Sequence, residues 1–212
     1  MAAGAEGAPK MSALEDALLA ARQREAPLEL LCFDREAAEG LDFSETEWSR
    51  TSFHGCSFTG CDFSKSAFYS CVFERCRFTG CRFAVSFWKD CRLGGCKADG
   101  GDFRRSRMKG CALEGTVLRY ANFTNTVWER TALRDCNFTE STLSESRISK
   151  VTFEKVDLTG TELFRTSLKG CDLSSCTLDR IALSESCAEL KGAKIDASQA
   201  AVVARILGII IS

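Results

Sequence analysis

Cysteine offers this chain more reactive chemistry than any other residue type, occurring 13 times beside a single histidine, His54. Thiols in that number could hold zinc, staple a small core through disulfides, or supply a nucleophile beside a base. Zinc motifs place their ligand pairs a few residues apart. Here Cys56, Cys61, Cys71, Cys76, Cys81, Cys91, Cys96, Cys111, Cys136, Cys171 and Cys176 are separated by multiples of five. The serines and threonines have no partnered histidine to activate them, and the acidic residues are dispersed along the chain. No catalytic, cofactor or metal constellation emerges, so the chain is expected to be a non-enzyme that works through its surface.

The spacing of the cysteines is one part of a larger pattern. From Phe43 to Leu183 every fifth residue is apolar, which gives 29 centres, and only Ala98 among them is not bulky. A second row, mostly small, lies two residues before each centre, and those eleven cysteines belong to it. The remaining positions are mostly polar or charged, with glycine gathered at the last position of the unit, as at Gly55, Gly60, Gly80 and Gly95. Glycine there suits a tight corner that needs positive φ. A period of five matches neither helix nor strand. A fixed short repeat marks a solenoid, whose units bury their apolar faces only by stacking on one another.

This order of small residue, polar residue, Phe or Leu, and two polar residues resembles the pentapeptide-repeat family over about two-thirds of the chain. The resemblance implies an all-β solenoid, a right-handed quadrilateral β-helix with one pentapeptide per side and four per coil. Cys56, Cys76 and Cys96 then fall in one stack at the strand spacing of about 4.8 Å. Parallel Cβ vectors on such a stack fit the dihedral of a disulfide poorly. The cysteines are therefore expected to be buried free thiols acting as small hydrophobes.

Taken in order, residues 1–10 have no pattern and are expected to be disordered. Residues 11–29 hold a capping helix: Ser12 and Glu15 have the form of a capping box, and Leu14, Ala17, Leu18 and Ala21 keep helical spacing over 13–24. That helix would cover the open end of the solenoid. The β-helix is assigned to residues 30–195, with an irregular stretch at 36–40, and extends for roughly seven coils, or about 35 Å. No insertion leaves room for a projecting loop. After Leu183 the register shifts by two residues, and Leu190 and Ile195 resume the step.

Residues 196–212 form the last unit. Asp196 and Gln199 make a second capping box, 198–207 is expected to be helical, and Gly208 stops the helix before a short apolar strand. Val203, Ile206, Leu207, Ile209, Ile210 and Ile211 give this end a greasy surface, most simply buried against a second copy across a two-fold axis. A homodimer is expected; the alternative is that helix and tail cap only their own coil.

Formal net charge is −1 and the pI about 6.0, which by themselves point to neither nucleic acid nor membrane. No apolar run is long enough to span a bilayer and no secretory signal is visible, so a cytoplasmic protein is expected. Sorted by side of the implied coil, however, the charges separate. The side centred on Trp48, Phe68, Trp88, Met108, Trp128, Ile148 and Leu168 carries eight cations against Glu47, Asp90 and Glu129, a net of +5. In the C-terminal half, two adjoining sides carry Glu140, Glu145, Asp157, Glu162, Asp179 and Glu185 against only Arg165 and Arg180, a net of −4.

The C-terminal segment, with Gln199, Ala200, Leu207, Gly208 and Ile209, resembles the end of the Qnr-type and mycobacterial MfpA-type pentapeptide proteins. That resemblance implies end-to-end dimerisation, imitation of duplex DNA, and binding to DNA gyrase or topoisomerase IV with protection from fluoroquinolones. Direct nucleic-acid or membrane binding is not expected on this reading. Residues 41–140 hold 15 basic against 12 acidic side chains, so mimicry of DNA has to rest on the Glu140–Glu185 edge. The rival reading is an interaction scaffold with some other protein partner, met through the basic side. Ice binding would need regular outward Thr rows, and the outward positions here are mixed.

Overall fold

The step of five becomes geometry in a computed structural model that describes residues 12–210. The expectation of disorder for residues 1–10 lies outside the described residues, as does Ile211 of the apolar tail. The chain winds as a four-sided parallel β-solenoid in which residues 20 apart are neighbours, Trp48 pairing with Phe68 and Phe53 with Phe73. The first side, centred on Leu28, Trp48, Phe68, Trp88, Met108, Trp128 and Ile148, is a seven-stranded sheet. The second, centred on Phe33 through Phe153, is another seven-stranded sheet. The third begins as three strands and continues as single bridges after Arg77–Lys97, while the fourth is built of single bridges throughout.

At several of the bridged positions the sequence supplies Asp or Asn one residue before the centre and a polar residue just after it. The side chains of Asp62, Asn122, Asn137 and Asp157 each accept the backbone N–H two residues on, at 2.9 Å. These Asx turns divert an amide that a strand would have spent differently.

The centres from Phe43 to Leu183 are buried, Ile148 alone being half-buried, and they stack by coil. Phe43, Phe63, Phe83, Phe103 and Phe123 form one column, ring centroids 4.7–5.0 Å apart and planes within 12° of parallel. Each tryptophan has its indole N–H satisfied by the hydroxyl two residues before it: Trp48 by Thr46, Trp88 by Ser86 and Trp128 by Thr126, all at 2.8 Å. Where Met108 replaces an indole, the buried Ser106 hydroxyl has no partner. The cysteines are free, eleven of them buried. From Cys56 to Cys136 the buried thiols donate to the carbonyl of the centre one coil and three residues back, as Cys76 to Phe53 at 3.3 Å. Burial pushes the Cys136 thiol up to about 11, which keeps it protonated near neutral pH.

The glycine corners take the positive φ expected of them, and they are not alone. Glycine is not what confers positive φ: Arg50, Lys65, Arg75, Tyr120 and Glu140 take the same left-handed conformation as Gly55 or Gly60. The coil compensates each corner with a ladder bond from its amide to the next coil, such as Arg50 N–H to the Tyr69 carbonyl at 2.9 Å. The stretch at 36–40 is also not irregular. Ala37–Glu39 is a strand paired with Ser57–Thr59, Ala38 taking a centre beside the N-terminal helix, and pairing begins already at Leu28.

Helix α1 (Ala13–Arg24) is opened by the reciprocal Ser12–Glu15 capping box and buries Leu14 and Leu18 on the first coil. Helix α2 (Ala197–Ile206) closes the other end behind the Asp196–Gln199 box, starting one residue before its expected span. Gln199 is buried and donates to the carbonyls of Leu173 (2.8 Å) and Cys176 (2.6 Å), capping acceptors that the last coil would leave open.

The two-residue register shift is real: Leu168 bonds to Glu189 and Asp172 bridges to Lys194. A short 3₁₀ turn, Ala188–Leu190, absorbs it and turns Glu189 inward. Burial raises the pKa of that carboxyl, but amide bonds outweigh it and leave it below its ordinary value. The bonds come from its own backbone, from Arg165 (3.0 Å) and from Ser184 (3.2 Å).

Candidate protein-interaction surfaces

The repeat fixes where each charge can stand. A residue on a corner has as its nearest neighbours in the stack the corner residues above and below it, about 4.8 Å away. The acidic residues singled out from the sequence do fall on two adjoining sides, Asp157, Asp179 and the Glu140 corner on the third, Glu162 and the Glu145 and Glu185 corners on the fourth. Their availability is unequal. Glu145 is paired with Arg165 at 3.2 Å. Glu140 crosses two coils to Arg180 at 3.4 Å. It can do so because Gly160 stands between them: a Cβ there would lie 2.6 Å from the Glu140 carboxyl carbon. Asp157 is spent on its Asx turn, accepting from the Thr159 amide and hydroxyl. Glu162, Asp179 and Glu185 are exposed and have no ion pair among the described residues.

At the C-terminus, Ile206, Leu207, Ile209 and Ile210 are exposed, Ile210 to 94 %, while Val203 is half-buried against the coil. Ile209 and Ile210 do not form the expected strand. Gly208, at φ 76°, reverses the chain, and the amides of Gly208 and Ile209 return to the carbonyls of Arg205 and Ala204 in a Schellman turn. A strand needs an open edge to pair with, and α2 covers the last coil. The result is an unpartnered apolar knob at one end of the rod.

The first side is the reverse of the acidic edge. Lys109 and Arg130 bracket Glu129 at 3.7 and 3.1 Å, and Arg50 pairs with Glu29. Lys89, Arg107, Arg147, Lys150 and Lys169 have no acidic partner among the described residues. At the N-terminal margin of these cations lie Tyr69 and Phe87, half-buried on adjacent strands, ring centroids 5.7 Å apart and edge to face. Neither aromatic stood out in the sequence, because both occupy outward positions that the step of five treats as interchangeable. They lie on opposite flanks of their centres, Phe87 opposite Ala67 and Tyr69 opposite Lys89, so no single step along the chain marks the pair. No group of His, Cys, Asp and Glu among the described residues has the geometry of a metal site. No described helix is long and apolar enough to cross a membrane.

No curated protein matches the sequence. The family profile of the pentapeptide repeat region matches residues 66–143 and 85–163, and that of pentapeptide repeats in eight copies matches residues 39–75. Among solved structures, a trypsin-treated variant of QnrB1, described as a plasmid-mediated fluoroquinolone resistance protein, is similar at 25% identity with a TM-score of 0.50. That alignment covers 88% of this chain and 98% of the other. Full-length QnrB1 aligns at 24% identity with a TM-score of 0.44, over 85% of this chain and 99% of its own.

Proposed function

The chain belongs to the pentapeptide-repeat family, and from that premise we propose that it is a non-enzymatic, DNA-mimicking rod that binds DNA gyrase or topoisomerase IV and protects it from fluoroquinolones. The observation that carries the reading is the likeness, over nearly the whole of both chains, to a fluoroquinolone resistance protein. The exposed carboxylates Glu162, Asp179 and Glu185 stand where phosphates would, on a straight edge facing the basic DNA-binding surface of the enzyme. The apolar knob of Val203, Ile206, Leu207, Ile209, Ile210 and Ile211 joins two copies end to end, doubling that edge about a two-fold axis.

Gyrase supercoiling in the presence of ciprofloxacin, titrated with this protein, tests the reading directly. Supercoiling should recover as protein is added. Inhibition alone would mean competition with DNA without protection, and no effect on gyrase or topoisomerase IV from the native host would sink the proposal. Leu207→Asp should convert dimers to monomers in light scattering; a wild type already monomeric at micromolar concentration would remove the end-to-end arrangement.

One feature favours a second reading, an interaction scaffold with another protein: the unpaired cations of the first side, which DNA mimicry does not use. Capture from host lysate distinguishes the two, since recovery of topoisomerase subunits supports the first reading and a different reproducible partner the second.

A further inference from the structure

We propose that the first side of the solenoid is a binding platform for single-stranded nucleic acid. Net charge near zero conceals it, because most of the acidic residues stand on other sides of the rod. The side is a flat parallel sheet of seven strands, about 30 Å long at the strand spacing. Its cations without acidic partners, Lys89, Arg107, Arg147, Lys150 and Lys169, spread over its central and C-terminal coils. The four carboxylates on the same side do little to cancel them, Glu29 being paired with Arg50. Glu129 is already shared by Lys109 and Arg130, Asp90 lies down over Gly110, and Glu47 sits at the far N-terminal end.

Cations alone would suit any polyanion, so the aromatic pair decides the class of partner. Tyr69 and Phe87 point outward from neighbouring strands, and a shallow groove lined by Phe87, Arg107, Met108, Lys109, Val127 and Glu129, the last already paired with Lys109 and Arg130, adjoins Phe87. Sheet-borne aromatics flanked by Arg and Lys form the arrangement on which unpaired bases stack while their phosphates meet the cations. A duplex hides its base faces, and an acidic peptide has none to offer. Binding of this kind is insensitive to sequence, because every base has a π-face. The platform lies apart from the acidic edge, so it does not depend on the topoisomerase reading.

The test is fluorescence anisotropy of a labelled oligothymidylate of about 20 nucleotides, with full-length protein, against a hairpin duplex and poly-glutamate as competitors. Oligothymidylate should bind, and the duplex and poly-glutamate should compete poorly. With about four phosphates neutralised, a fourfold rise in salt should weaken binding about fiftyfold. Arg107→Glu with Arg147→Glu should cost at least about tenfold. Phe87→Ala should cost at least about fivefold, with circular dichroism unchanged. Arg107→Gln serves as the milder variant should the reversals perturb folding, and should weaken binding by a smaller factor in the same direction. Glu162→Lys, on the acidic edge, should not weaken it. No binding at low salt would overturn the proposal. So would equal competition by poly-glutamate with Phe87→Ala unaffected, which would make the side an acidic-protein site.

Discussion

The acidic edge and the basic side of this rod have nearly equal formal charge of opposite sign, yet they differ in how much of it is free. On the acidic edge the coil consumes its own carboxylates: Glu140 goes to Arg180, Glu145 to Arg165 and Asp157 to an Asx turn. On the basic side, five cations face solvent without an acidic partner among the described residues, and aromatic rings lie at their margin. A ladder with one neighbour above and one below gives each side chain few possible partners. Whether a charge is internal or available is thus decided by what stands one coil away. Counting charges on a side measures its field; pairing them along the column measures what a partner can meet.

The largest effect should come from separating free from paired carboxylates. Glu162→Lys, Asp179→Lys and Glu185→Lys together should abolish protection of gyrase, whereas Glu140→Gln with Glu145→Gln should leave most of it. If the two sets are equally damaging in the supercoiling assay, pairing within the column does not matter to the partner.

Acid should come next, and it should act on one surface only. The guanidinium of Arg119 beside Asp99, and that of Arg104 beside Asp102, hold those carboxyls below the ordinary range. A carboxyl with a depressed folded pKa contributes its stability in full above the unfolded value of about 3.9 and loses it as pH falls through the folded value. The thermal midpoint should therefore be level from neutral pH to about 5 and fall below about 4. The cations of the basic side do not titrate in this window. A midpoint that stays level through pH 3 would show that these ladder pairs add nothing.

Asp157→Ala should cost about 1 kcal/mol in chemical denaturation by removing the Asx bonds, yet leave protection unchanged. Loss of protection at native stability would return Asp157 to the set of partner-facing residues. Gly160→Ala should be the mildest. The added Cβ displaces only the flexible end of Glu140, and other corners carry side chains at the same φ, so the cost should stay below about 1 kcal/mol. Its visible consequence should be on the edge: with Glu140 pushed off Arg180, binding to the enzyme should change slightly while the fold does not.

Much of the molecule was legible in the residues. The centres, the small inward row, both capping boxes and the two-residue shift after Leu183 are all where the pattern puts them. The reason is that these signals are local in the chain: each unit carries its own centre, and a capping box closes within four residues. Less was legible wherever the outcome depends on a residue one coil away. The strand at Ala37–Glu39 escaped notice because Ala38 is small, although Phe58 beside it sets the register. The corner conformation at Arg50 or Tyr120 escaped because no single residue asks for positive φ there; the ladder bond to the next coil imposes it.

The sequence by itself thus determined the solenoid, because a period held over 29 centres leaves only stacking as a way to bury them. It also determined which side each charge would occupy. Tertiary structure alone decided which of those charges remain free and how the chain ends. Glu140 reaches Arg180 only because a glycine lies between them in space, and Glu189 turns inward only where the register shift makes room. The apolar tail forms a turn rather than a strand because α2 has already covered the last coil edge. Hydrogen bonds and ion pairs are satisfied by whatever is nearest in three dimensions, and in a coil the nearest residue is a full turn away along the chain.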